Sequence, residues 1–168
     1  MLETTATAIS QFNRKTGEWF SLLMLPMLFV AVYEVFMRYA FNAPTSWGFE
    51  LTIFIYGLHF ILGYSFTDSH NGHVRVDIFS ARLSARPRAI LEIVTLLVIF
   101  FPFMTLMTIF AGKFAFYSAS MKELASSSWA PPIWPVKIMM CVGFLLLWLQ
   151  GLGNLLHHLH IALAPKAD

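Results

Sequence analysis

Four long apolar segments constrain this chain more than any other feature of its sequence. They cover residues 19–37, 47–66, 90–116 and 133–156. A bilayer core of about 30 Å requires roughly 20 helical residues, and each segment meets or nearly meets that length. None shows the polar alternation of a membrane β-barrel, whereas a helix satisfies its own backbone hydrogen bonds in lipid. The pattern predicts an all-α integral membrane protein, with four transmembrane helices in a single domain over residues 1–168.

The composition excludes several classes of protein. Hydrophobic residues make up 58% of the chain and charged residues 12%, which is about half the charged share of a soluble domain. A soluble enzyme would need more charge on its surface than this chain carries. The net charge of +2 is too small for a nucleic-acid-binding surface. A single cysteine, Cys141, excludes an internal disulfide and a multi-cysteine metal site.

The distribution of Lys and Arg predicts the orientation in the membrane. One side holds the tails 1–18 and 157–168 and the connection between the second and third segments. Its basic residues are Arg14, Lys15, Arg75, Arg82, Arg86, Arg88 and Lys166. The opposite side holds Arg38, Lys113, Lys122 and Lys137. Because cytoplasmic loops are richer in Lys and Arg, the excess places both termini in the cytoplasm.

The connection between the second and third segments contains a short apolar pattern. Val76, Phe79 and Leu83 follow one another at spacings of three and four residues, flanked by Arg82 and Arg86. A short helix lying in the cytoplasmic interface would produce this pattern. An ordinary connecting turn with three chance apolar residues would produce it as well, and the sequence leaves both interpretations open.

Three charged residues are predicted to meet near the outer ends of the first two helices. Glu34 and Arg38 are four residues apart and can pair on one helix face. Glu50 lies in the first turn of the second helix, and the short loop brings it near Arg38. The cluster would be either an ion or substrate gate or a structural clasp. The charges lie at helix ends rather than at the midplane, which favours the structural interpretation.

His59 is the one titratable side chain predicted to lie deep in the second helix. A role as haem ligand or proton relay would need a partner at the same depth, and His157, His158 and His160 lie at the end of the fourth helix. A hydrogen-bonded packing histidine is therefore favoured. His70, His73 and Asp77 have a spacing that a metal could use, but no further ligand is near. The residues thus predict no catalytic site, no metal and no cofactor, and they favour a subunit of a larger assembly.

Residues 38–51 read RYAFNAPTSWGFEL. This stretch resembles the RYxFNxPxxWxxEL signature of the small membrane subunit of TRAP transporters, the DctQ-type family. The similarity continues through Leu62-Gly63 and residues 73–77 and ends near Gln150-Gly151. The resemblance makes structural or subunit-interface candidates of Glu34, Arg38, Asn42, Pro44, Trp47, Glu50, His73, Arg75 and Asp77. Basic residues beside the membrane, which are suited to anionic lipid head groups, are Arg82, Arg86 and Arg88.

The resemblance implies a role in secondary import across the bacterial inner membrane. In TRAP systems a periplasmic substrate-binding protein captures an organic acid, either a carboxylate or a sulfonate. A large membrane subunit then carries the solute, coupled to sodium entry, and the small subunit braces it. This chain would therefore bind the large subunit, work with the binding protein, contact lipids, and bind neither solute nor sodium itself. Two alternatives remain open: a haem-bearing or other membrane anchor of a respiratory enzyme, and a small stand-alone exporter.

Overall fold

The computed structural model describes residues 2–70 and 83–163. Within these two stretches the chain is helical apart from its turns and one isolated β-bridge. The helices are α1 (Leu2–Ser21), α2 (Met24–Ala40), α3 (Gly48–Ser69), α4 (Ala85–Thr95), a π-helical turn (Leu96–Phe100), α5 (Phe101–Ser120) and α6 (Trp134–Leu163).

Within the described residues, four helical stretches are long and apolar enough to cross a membrane, which confirms the predicted fold class. They are Leu2–Ala40, Gly48–Ser69, Ala85–Ser120 and Trp134–Leu163, of 39, 22, 36 and 30 residues. At 1.5 Å per residue they measure about 58, 33, 54 and 45 Å. All four exceed the hydrocarbon thickness of about 30 Å, three of them by a wide margin, so the ends of those three extend past the core or their axes are tilted.

The structure differs from the sequence-based boundaries most at the N-terminus. Residues 1–18 were expected as a tail, but from Leu2 onward they belong to α1, whose buried residues Ala6, Asn13 and Gly17 face the rest of the chain. This segment is helical because it packs against α3 and α6. The local hydropathy of the sequence does not show such packing. Helix α6 likewise continues to Leu163, seven residues beyond its expected end.

Prolines account for both breaks within the long helices. Pro26 has no amide hydrogen to donate to the Leu22 carbonyl, and this carbonyl instead accepts from the Leu25 amide at 3.1 Å. The chain therefore tightens between α1 and α2. Pro102 follows the π-helical turn Leu96–Phe100 and removes the amide that would extend the ladder there. Proline residues and π-helical turns let a long helix change direction.

The spanning helices form an open row rather than a closed four-helix bundle. Helix α6 lies between α3 and α5, and α2 packs along the far side of α3. Helices α1 and α4 add to the row by packing against one half of α6. The order across the row is therefore α2, α3, α6, α5, and its two ends are separated by the central pair.

Close approach of the helices depends on glycines. A Cβ at Gly143 would lie 2.8 Å from Ile61 Cγ1 and 2.9 Å from the Ile61 carbonyl oxygen, so α3 and α6 touch backbone to backbone there. Glycine permits such contact between membrane helices. Away from these contacts, many apolar side chains of the helices are exposed; Phe29 of α2, for example, is 73% exposed and Phe103 of α5 is 59% exposed. Most of this surface is left for lipid or for another protein.

The proposed short helix between the second and third spans stays a prediction. Val76 and Phe79 lie outside the described residues, and Leu83 is exposed just before α4.

Candidate functional site

The turn between α2 and α3 carries the motif residues that the sequence singled out. Helix α2 ends where Asn42 adopts the left-handed conformation, with φ 51°, which asparagine tolerates better than most residues. The next amide, of Ala43, donates to the Met37 carbonyl at 3.0 Å. Pro44 then fixes the backbone without needing a partner for an amide hydrogen. Trp47 stacks on Tyr33, with ring centroids 5.7 Å apart, and anchors the turn to α2.

A buried carboxylate fastens this turn from within. Glu34 accepts a hydrogen bond from Arg38 Nη2 at 2.8 Å and another from the Thr45 amide at 3.2 Å. The Thr45 hydroxyl also donates to Glu34 Oε2, and its oxygen accepts from the Gly48 amide at 3.0 Å. We call Glu34, Arg38, Thr45 and Gly48 the outer clasp. It connects the last turns of α2 to the first amide of α3.

Gly48 allows the outer clasp to close. A Cβ at this position would lie 2.6 Å from Thr45 Oγ1 and 2.7 Å from Glu34 Oε2. Any side chain here would therefore displace one of the two groups that hold the turn. Thr45 was not recognised from the sequence, because it occupies a variable position of the signature. Its one signal is a hydroxyl residue placed where it can cap the helix that begins three residues later.

Glu50 does not lie where the sequence analysis expected it. It accepts a hydrogen bond from Ser127 Oγ at 2.6 Å, in the loop between α5 and α6, while Arg38 pairs with Glu34. The reason is helical geometry: residues two apart point about 200° away from each other. Since Gly48 faces Glu34, Glu50 faces the other way. Glu50 therefore links α3 to the α5–α6 loop.

The α5–α6 loop is itself tightly connected. Lys122 and Ala130 both take the left-handed conformation, with φ 48°. Across the loop, the Ala125 amide donates to the Pro131 carbonyl at 2.8 Å. Lys137 Nζ lies 2.5 Å from Glu123 Oε2 and 3.9 Å from the centroid of the Phe114 ring. One cation thus joins the loop to both of its flanking helices.

The Lys137 ammonium holds the pKa of the Glu123 carboxyl below its ordinary value, chiefly through their hydrogen bond. A lowered folded-state pKa stabilises the fold above the unfolded pKa of about 4.3, and this contribution disappears as the pH falls through the folded value. We expect Glu123→Gln to reduce the loss of thermal stability that acidification causes. Melting curves of both proteins between about pH 6 and pH 3 measure this difference. Parallel pH profiles would contradict it.

A second polar cluster lies near the ends of α3 and α6 that are opposite to the outer clasp. Gln150 of α6 accepts a hydrogen bond from Asn13 Nδ2 at 2.9 Å and donates to Ser10 Oγ at 3.1 Å. It also donates to Asn154 Oδ1 at 3.1 Å, and Asn154 Nδ2 donates to Asp68 Oδ2 at 2.7 Å. We call these five residues the inner network. It ties α1 and α3 to α6 and borders a cleft of about 860 Å³.

The inner network was missed from the sequence. Asn13 was assigned to a tail, and Gln150 was noted only as the end of a weak similarity. Both side chains are buried, at 0% and 1% exposure. Their signal is the spacing of polar residues, three apart in Ser10 and Asn13 and four apart in Gln150 and Asn154, which places each pair on one helix face.

We expect Gln150→Leu to lower the free energy of unfolding by about 1–2 kcal/mol, because buried polar groups of Asn13 and Ser10 lose their partner. Denaturant titration of the chain in detergent micelles measures this change. Thr16→Ala is the control, since Thr16 Oγ1 bonds only to carbonyls of its own helix, those of Phe12 and Asn13. Equal effects of the two replacements would contradict a special role of the network.

The remaining candidates form no further site in the described part of the chain. His59 Nδ1 lies 3.4 Å from the Phe20 carbonyl oxygen, the position of a packing histidine. Residues 2–70 and 83–163 contain no group of three His, Cys, Asp or Glu side chains that could hold a metal. Arg86 and Arg88 are exposed in the first turns of α4. Outside the described residues lie His73, Arg75, Asp77 and Arg82.

Comparison with known proteins finds a family that matches most of the chain. The family described as tripartite ATP-independent periplasmic transporters, DctQ component, matches residues 27–160. No curated protein and no solved structure matches the chain. The matched region contains the outer clasp, the α5–α6 loop, and all of α3, α4 and α5. The family is a component of a transporter and not an enzyme. With four helices able to span a membrane and a match over most of its length, this chain belongs to the DctQ family, the small membrane component of TRAP transporters.

Proposed function

We propose that this chain is a scaffold for the large membrane subunit during sodium-coupled import of an organic acid, either a carboxylate or a sulfonate. A periplasmic binding protein would deliver the solute, and the large subunit would bind both the solute and sodium. The observation that carries the proposal is the open row of helices, which leaves many large apolar side chains exposed. Such a row suits a subunit that completes its packing against another membrane protein.

The polar residues of the spanning helices support a structural role. Glu34 is satisfied by Arg38 and Thr45, and Gln150 by Asn13, Ser10 and Asn154. Coupled ion sites in transporters use broken helices and unpaired carboxylates near the midplane. Here the buried side chains of Glu34 and Gln150 instead connect neighbouring helices. A frame built in this way resists distortion while a partner moves beside it.

Reconstitution tests this function directly. Proteoliposomes that contain the large subunit with this chain, supplied with the binding protein, should take up the organic acid when a sodium gradient is imposed. Liposomes that contain this chain and the binding protein alone should show none. Sodium-driven uptake without the large subunit would overturn the scaffold role. Co-purification of the two membrane subunits is the accompanying binding test.

We also propose a multi-pass location in the bacterial inner membrane with both termini cytoplasmic, in a single domain over residues 1–168. The excess of Lys and Arg on the side of the termini supports this orientation. On that side, Arg82, Arg86 and Arg88 would contact anionic lipid head groups.

Cysteine labelling of intact cells tests the orientation. In a Cys141→Ala background, an impermeant maleimide added from outside should modify Ser127→Cys and spare Ser69→Cys. Permeabilised cells provide the control, because there both positions should react. Protection of position 127 with labelling of position 69 in intact cells would reverse the assignment.

A further inference from the structure

The exposed surface of α1 is divided lengthwise into two flanks of opposite character. At 100° per residue, Thr7, Gln11, Arg14 and Glu18 fall on one flank. The other flank, about a third of a turn away, carries Ala8, Phe12 and Trp19. The third side holds Ala6, Asn13 and Gly17 and is buried against the chain. Both flanks are bare, since Phe12 is 55% exposed, Trp19 is 74% exposed, and the polar side chains are also exposed.

No single surrounding suits both flanks. In water, Phe12 and Trp19 would form an exposed apolar strip along one face of the helix, which is unfavourable. In acyl chains, Gln11 and the ion pair of Arg14 and Glu18 would be costly. That pair is loose, with 3.9 Å between Arg14 Nε and Glu18 Oε1 and both side chains more than half exposed. Such geometry is typical of a water-exposed pair.

The position of α1 in the fold gives the depth at which the two flanks lie. Glu3 Oε2 of α1 lies 3.3 Å from Nε2 of His160, which is close to the C-terminal end of α6. Ser10 of α1 belongs to the inner network. The N-terminal part of α1 therefore lies beside the C-terminal part of α6, and Gly17 further along lies against Phe66, near the C-terminal end of α3. Tryptophan is favoured at this level of a membrane because its ring is apolar and its N–H is polar.

We propose that α1 lies in the membrane–water interface, on the side of the membrane where α6 has its C-terminal end. Phe12 and Trp19 enter the upper acyl layer, while Gln11, Arg14 and Glu18 remain among head groups and water. Lys15 lies on the border between the flanks, where a long side chain reaches phosphate oxygens of the lipids. Because the inner network binds α1 to α6, this anchoring also restrains the tilt of the whole row.

Neighbouring positions on the two flanks provide a matched test. In the full chain with Cys141→Ala, Gln11→Cys and Phe12→Cys would each be labelled with bimane and placed in lipid nanodiscs. The pair Glu18→Cys and Trp19→Cys repeats the comparison about two turns further along. All four side chains are exposed, so the replacements leave the buried side of α1 unchanged. Iodide in the buffer and spin-labelled phospholipid in the disc are the two quenchers.

We expect iodide to quench bimane several-fold more strongly at positions 11 and 18 than at positions 12 and 19. Spin-labelled phospholipid should give the opposite order. Equal iodide quenching on both flanks would place α1 in water, and strong lipid quenching on both would place it in the core; either result overturns the proposal. If adding the large subunit shields position 11 from iodide, the polar flank is a protein contact and the proposal is wrong for that flank.

Discussion

Replacing Gly143 with leucine should destabilise the chain by about 3 kcal/mol or more, the upper range for a side chain forced into a packed contact. The Cβ alone would lie 2.9 Å from the Ile61 carbonyl oxygen. A backbone atom cannot rotate out of the way as a side chain can, so α3 and α6 would have to separate. Denaturant titration of the purified chain in detergent reports the change in unfolding free energy.

Gly63→Leu is the matched control, because the same chain offers a glycine on α3 with nothing within 4 Å of its Cβ position. It should leave the stability of the isolated chain nearly unchanged. If both replacements had the same effect, the cost would come from helix propensity or detergent contact and not from the junction of α3 with α6. The comparison thus isolates the contact at the centre of the row.

Removing the carboxylate of Glu34 should sharply reduce the amount of assembled transporter. Glu34→Ala leaves Arg38 unpaired and frees Thr45 from α2, so the turn that begins α3 loses its fixed shape. The Arg38 side chain is 50% exposed, whereas that of Glu34 is 9% exposed. Arg38→Ala should therefore have the smaller effect of the two. Co-purification of the large subunit with tagged variants measures the assembled fraction.

The exposed pair of Arg14 and Glu18 has the same spacing of four residues and serves as the control. Glu18→Ala should leave assembly close to that of the unmodified chain, since exposed pairs contribute little. For both clasp variants, the sodium dependence of uptake by whatever complex remains should be unchanged. Normal assembly with altered sodium dependence would instead make the outer clasp an ion site.

The sequence predicted those parts of the fold that depend on local hydrophobicity. All four spans were found, because each is an apolar run long enough for a bilayer, and the motif at residues 38–51 located the α2–α3 turn. Helix α1 was not predicted, since its order depends on contacts of Asn13 and Gly17 with α6 and α3 that are distant in sequence. The hydrophobic pattern of a sequence does not show which distant residues will be in contact.

The candidate site was predicted only in part for a related reason. Glu34 and Arg38 lie on one helix, so their spacing alone was enough to pair them. The direction of Glu50 depends on which face of α3 meets α2, and that is decided by the fit of Gly48 against Thr45 and Glu34. The partner of Glu50, Ser127, lies 77 residues away. The face that a helix turns toward its neighbours, and its contacts with distant loops, are decided only when the chain is packed.

The open row of helices also bears on how long the chain survives in a cell. A membrane protein that buries little of its own surface opens easily, and proteases act on opened states. Made without its partner, this subunit would be a substrate for membrane quality control, and its lifetime would lengthen when the large subunit covers it. The quantity of finished transporter would then follow the supply of the large subunit, and any surplus of the small one would be degraded.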